Sequence, residues 1–171
     1  YNPWGSVTGR LTTRPNSFPI LTLPRTLRSG LTPNNDLFVE LDYNSAEMRT
    51  AFALLGMQQP ENDIHDHLKS EVFNDKLSRD EVKQKVFAWL YIFYNPKASN
   101  KKLQKFLDKE KILEKYYTSG VVKTPFDRDI QVEPEKALNY LVQSTTSDLF
   151  LAQAIKIYNM LKDSNSHIAF C

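Results

Sequence analysis

Arg79, Lys83, Phe87 and Tyr91 recur at steps of four. On a helix each step turns about 400°, so neighbours share one slowly drifting face, and the full ladder covers about 18 Å. Two cations lead and two aromatics follow. A nucleoside triphosphate has the same polarity, an anionic tail and a flat apolar head. Cations would hold the phosphates and an aromatic ring would stack on the base. The same positions also suit a plain arrangement, with Phe87 and Tyr91 in a core stripe beside Val86, Trp89 and Leu90 and the cations solvated. A second candidate is Asp42, which follows the apolar run Leu37–Leu41. A carboxylate at the end of a strand and just before a helix can bind a metal or act in catalysis. It can equally cap or turn the chain.

The elements that must position these residues are legible as patterns. Asn34-Asn35-Asp36 marks a turn, and Leu37–Leu41 reads as a buried strand. Asn44 is placed to cap the next helix with Glu47 as its capping-box partner, and Gly56 to end it. Residues 63–74 read as a helix with Ile64, Leu68, Val72 and Phe73 buried. On that helix His65 and His67 point about 200° apart, which argues against a shared zinc. Ser78-Arg79-Asp80-Glu81 is a capping box that starts the ladder helix at Arg79.

Residues 97–117 read as one charged helical stretch, rich in lysine, either a solvated face or a contact to a nucleic-acid backbone. Gly120 and Pro125 punctuate a hairpin over Val121–Val132, and Pro134 suits the first position of a long helix. The core side of that helix offers Leu138, Leu141, Val142, Leu149, Ala152, Ile155 and Leu161. Asn139 and Gln143 share a face of it, where amides can meet nucleic-acid groups or neighbouring backbone. The first 35 residues, with five prolines and four arginines, read as an extended basic arm, solvated or laid on phosphates.

Composition narrows the classes. The chain is 41% hydrophobic and 25% charged with a net charge of +2, the balance of a soluble globular protein and not of a histone-like tail. Five glycines and no G-x-G-x-x-G or Walker-type run exclude a glycine-rich phosphate loop. One cysteine excludes an internal disulfide framework. The longest apolar run, Val86–Tyr94, is too short for a bilayer, and no signal peptide is present, so no membrane partner and a cytoplasmic location are expected. The chain starts at Tyr1 and stops in the apolar run ending at Cys171, which reads as a piece of a longer protein.

Four segments, in order, resemble the polymerase region of family A (polymerase-I-like) DNA polymerases of the compact phage type. Thr8-Gly9-Arg10-Leu11-Thr12-Thr13 with Pro15-Asn16 looks like the G-R-L-S/T segment before the palm. Asp42-Tyr43-Asn44-Ser45-Ala46-Glu47-Met48-Arg49 is similar to motif A, D-Y-S-Q-I-E-L-R, and Asp63-Ile64-His65 to the D-I-H that follows it. The Arg79–Tyr91 ladder fits motif B of the fingers. Ala137-Leu138-Asn139 with Gln143-Ser144-Thr145 and Asp148-Leu149 resembles A-F-N-x3-Q-G-T-x2-D-L. The likeness covers about Thr8 to Cys171. The sequence departs from the family at Asn44, Ser45 and Ala46 in motif A, at Ala88 and Ile92 where motif B has glycines, at Glu135 where many relatives have a basic residue, and at Ser144.

The resemblance implies an α+β fold: a partial palm, with a small antiparallel sheet and helices, plus helical fingers. It divides the chain into an arm and palm part with motif A (1–59), fingers helices with motif B (60–117), and a hairpin, long helix and palm strand (118–171). Leu37–Leu41 would pair with His167–Cys171. The implied activity is template-directed nucleotidyl transfer from a dNTP to a primer 3′-OH, with primer–template DNA as partner and two Mg²⁺ ions as cofactor. Asp42 and the Tyr43 carbonyl would be metal ligands. Glu47 would exclude a ribose 2′-OH. Arg79, Lys83 and His65 would hold the triphosphate, Lys83 also donating a proton to the leaving group. Phe87 would pack on the nucleotide, and Tyr91 would occupy the template-base position. Arg10, Asn139 and Gln143 would hold the minor groove. The second metal carboxylate, in motif C, would follow Cys171, so this piece is expected not to polymerise alone. Two other readings stay open: a piece of a single-subunit phage RNA polymerase, against which Glu47 argues, and a helical nucleic-acid-binding module without chemistry.

Overall fold

The structure, a computed structural model, describes residues 2, 4–18, 22–91 and 101–169. Among them are seven helices and one three-stranded antiparallel sheet, an α+β fold. The chain divides into two compact units, a central one, Tyr43–Thr146, and a terminal one made of Tyr1–Asp42 with Ser147–Cys171.

The central unit holds the core. It contains helices α2 (Ala46–Leu54), α3 (Ile64–Glu71), α4 (Arg79–Tyr91), α5 (Lys101–Phe106) and α6 (Lys109–Tyr116), strands β1 (Tyr117–Thr118), β2 (Val121–Lys123) and β3 (Asp129–Gln131), and the first part of α7 (Pro134–Leu161). Outside it, among the described residues, lie the short α1 (Arg25–Arg28) and the remainder of α7 from Ser147 on. Met48, Phe52, Ile64, Leu68, Val82, Val86, Leu103, Leu107, Ile112, Val122 and Leu141 interlock as fully buried side chains. Contact between α3 and α4 follows from their stripes, Ile64 and Leu68 with the C-cap residue Val72 on one and Val82, Val86, Trp89 and Leu90 on the other.

Local signals explain the element ends. Gly56, at φ +69°, closes α2 in a Schellman arrangement: Met57 N–H donates to the Phe52 carbonyl at 2.9 Å and Gly56 N–H to Ala53 at 3.0 Å. Ser78 and Glu81 form the expected capping box, with Ser78 N–H donating to the Glu81 carboxylate at 2.8 Å and Glu81 N–H to the Ser78 hydroxyl at 3.3 Å. Ser119 and Gly120, both left-handed, make the two-residue turn between β1 and β2, the geometry that matches strand twist. Pro134 is the first residue of α7, as expected.

Five expectations are corrected. Leu37–Leu41 is not a strand and is exposed, Val39 and Leu41 each at 72%. An apolar run supplies side chains for a strand, but a strand also needs a partner backbone, and no described segment pairs with this one. The partner expected at His167–Cys171 is irregular over residues 167–169, and its last two residues lie outside the described ones. The sheet forms instead from Tyr117 to Gln131, where tight turns put neighbours in register. Asn44 does not cap α2: Ser45 is the N-cap residue, left-handed at φ 52°, with no side-chain cap bond. The stretch 97–117 is two helices where it is described, because Asp108 accepts from Lys111 N–H and starts α6 anew. Finally, the later part of α7 is not core: Leu149 and Ile155 are exposed.

Candidate nucleotide-binding face

The face is built on α4. Its buried stripe turns Val82, Val86, Trp89 and Leu90 inward, which leaves the Arg79–Lys83–Phe87–Tyr91 edge to the side. Arg79 and Lys83 are exposed, and Phe87 and Tyr91 are half-buried. The aromatic rings stack with centroids 5.8 Å apart and planes within 5°. The Lys83 ammonium lies 5.9 Å from the Phe87 centroid, within cation–π range. The His65 ring, from α3, lies 6.2 Å from Phe87. Five residues singled out in the sequence are thus gathered on one pair of helices.

Asp63 organises the cationic end. Its carboxylate caps α3 by accepting from His65 N–H at 2.9 Å and Asp66 N–H at 3.1 Å, and it receives Arg79 through Nε at 3.3 Å and a terminal nitrogen at 2.6 Å. The Arg79 hydrogen bond, with the two backbone donors, holds the Asp63 carboxyl down at about 2 against the opposing effect of burial. Burial pushes the His65 imidazole below its ordinary range; Arg79 and Lys83 push the same way, and Asp63 opposes them. His65 is 1% exposed, and its Nδ1 has no hydrogen-bond partner among the described residues. A neutral, buried imidazole at the edge of a cationic face can give or take one hydrogen bond without adding charge.

Other candidates sit elsewhere. Glu47 is half-buried in the first turn of α2. Asp42 is exposed and ends one part of the terminal unit, while Tyr43, half-exposed, begins the central unit. Asn139 and Gln143 are half-buried on α7, and Gln143 donates to Asn139 at 2.5 Å, so the two amides present a joined edge. Arg10 is exposed in the terminal unit, on a loop closed by the Asn2–Thr12 bridge and tied by Ser147, whose hydroxyl donates to the Gly9 carbonyl at 2.9 Å. His65 and His67 diverge as a helix requires, and among the described residues no group of three His, Cys, Asp or Glu side chains could hold a metal ion.

Sequence reasoning missed two positioning residues. One is Asp63 as the partner of Arg79; the D-I-H likeness and its place before a helical stripe marked the position, and neither pointed to Arg79. The other is Arg49, which donates to the Asn44, Pro60 and Asn62 carbonyls at 3.1, 3.0 and 3.1 Å. One guanidinium fork thereby fixes both the turn after Asp42-Tyr43 and the lead-in to α3. No family model matches the chain, and neither a curated protein nor a solved structure matches it.

Proposed function

We propose that the chain is the motif A and fingers portion of a family A, phage-type DNA polymerase, a nucleotidyltransferase that in its whole form extends a DNA primer from dNTPs. The observation that carries the reading is the α4 edge, on which two cations are followed by two parallel, stacked rings with His65 alongside. Phosphates would meet Arg79 and Lys83, and the flat base and sugar would meet Phe87. Lys83 is exposed and can donate a proton to a departing pyrophosphate oxygen. Arg79 is engaged by Asp63, which keeps the guanidinium in place beside the first turn of α4. Tyr91 would stand where a template base arrives, and Glu47 would crowd a ribose 2′-OH. Arg10, Asn139 and Gln143 would contact primer–template DNA in the minor groove.

Asp42 and the Tyr43 carbonyl are oxygen donors of the kind Mg²⁺ takes. They fit in kind but not in number, since two ions need a second bridging carboxylate, which motif C supplies in the family. Bound Mg²⁺ would lower the pKa of the primer hydroxyl and neutralise charge on the transferred phosphate.

The test is dNTP binding by this chain, read by titration with a fluorescent dNTP. Lys83→Ala should weaken Kd by about tenfold, the loss of one charge-assisted contact. Unchanged binding in Lys83→Ala and Arg79→Ala would overturn the reading. Adding Mg²⁺ should tighten binding in the parent chain and not in Asp42→Ala. Metal-independent binding in both would leave a nucleic-acid-binding module as the better account.

A further inference from the structure

The central unit has a second concave feature that shares none of the ladder residues. An open cleft of about 820 Å³ is lined by the end of α2, the 57–62 segment, α3 and the end of α5. Its inner wall is the part-exposed rings of His67 and Phe106, backed by the fully buried Phe52, with centroids 6.2–6.3 Å apart in every pairing. Its rim carries Glu61, Asp66 and Glu71, all exposed, and no lysine or arginine lines it among the described residues. Gln58, Gln59 and Asn62 add amide acceptors.

The charge of this lining excludes a phosphate, which would meet three carboxylates and no cation. Aromatic faces beside carboxylates suit the opposite ligand. A ring attracts a cation through its quadrupole, an aliphatic stem gains from apolar contact, and carboxylates and amide oxygens accept from N–H donors. The volume falls in the range of sites that take a small molecule or a side chain with its neighbours. We propose that this cleft binds an organic cation on an aliphatic stem, an ammonium or guanidinium group. The group sits against the part-exposed rings of His67 and Phe106 and is held at the rim by Glu61 and Glu71. The site is separate from the nucleotide-binding face and stands whether or not that reading holds.

Two probes carry this chemistry from different sources: spermidine as a free polyamine and a hexa-arginine peptide as a protein segment. Each is titrated into the full chain while backbone amide shifts are followed. Saturable shifts at Gln58, Gln59, Glu61, Asn62 and Ser70 are expected with at least one probe. The Glu61→Gln/Glu71→Gln double variant, changed only at exposed positions, should weaken that Kd tenfold or more. Phe106→Leu, with its fold checked by circular dichroism, should weaken it severalfold. Tighter binding of spermidine assigns the site to free polyamines, and tighter binding of the peptide to a basic protein segment. The proposal is overturned if neither probe shifts these amides, or if the double variant binds as well as the parent chain.

Discussion

The two units are built from similar residues and end in different physical states. Every buried hydrophobic side chain among the described residues lies between Met48 and Val142, within the central unit. The terminal unit exposes its large apolar residues: Trp4 at 89%, Val39 and Leu41 at 72%, Met160 at 81%. The difference is not hydrophobic content but pairing. In the central unit each apolar stripe faces another stripe, so burial removes both from water. In the terminal unit no described hydrophobic side chain is buried, and local turns and hydrogen bonds help to hold the chain. The proposed nucleotide-binding face belongs to the unit with the core, which can hold side chains to fixed geometry. Asp42 and Arg10 belong to the other.

That contrast sets the largest predicted effect. Phe52 is fully buried and touches the rings of His67 and Phe106. Phe52→Ala should destabilise the chain by about 3–5 kcal/mol, from lost burial and the cavity left behind. Leu41→Ala, at an exposed and unpaired position, should change stability by less than about 0.5 kcal/mol. Urea denaturation of both variants checks the pair. Equal losses would mean that Leu41 is buried in solution and that the two units do not differ in the way described.

The same contrast explains what could be read from the sequence. The α3 and α4 stripes, the Ser78–Glu81 box, Gly56 and Pro134 were legible because each depends on residues within about one helical turn, where spacing fixes geometry. The co-facing of Arg79, Lys83, Phe87 and Tyr91 was legible for that reason. Its neighbour His65 came from the family resemblance, since no local rule joins residue 65 to residue 87. Leu37–Leu41 was misread because strand formation is decided by a partner far along the chain, and apolar composition is silent about whether one arrives. The Arg79–Asp63 pair and the three-carbonyl grip of Arg49 were not legible. Both cross between elements, and an arginine's spacing does not say which oxygens it will meet.

A smaller effect tests how firmly the central unit fixes its cationic edge. Asp63→Ala removes a helix cap, worth about 1 kcal/mol, and a partly exposed ion pair, worth up to about 1 kcal/mol, so a loss of about 2 kcal/mol is expected. The pH dependence has a definite sign. Because the folded carboxyl is held at about 2, below its ordinary 3.8, it contributes stability that is complete above about pH 4 and is lost as pH falls towards 2. Arg79→Met should flatten this acid limb. A limb of unchanged steepness would show that Asp63 does not depend on Arg79.

The smallest effect concerns the end of the same helix. Lys109 lies 4.5 Å from the Trp89 ring centroid, and its ammonium donates to the Trp89 carbonyl in the last turns of α4. A cation suits a helix C-terminus, yet burial lowers this lysine to about 8 from 10.5. The folded state therefore sheds the proton before the unfolded chain does, and the contribution of Lys109 to stability rises as pH climbs from about 8 to 10.5. Lys109→Met keeps much of the stem packing and removes the titration. Its stability at pH 7 should stay within about 1.5 kcal/mol of the parent, as for a volume-conserving exchange, and the alkaline rise should disappear. Thermal melts at pH 7, 8.5 and 10 check both. A rise that survives the substitution would place its source in another group and would show that Lys109 is well hydrated, with no desolvated contact at the end of α4.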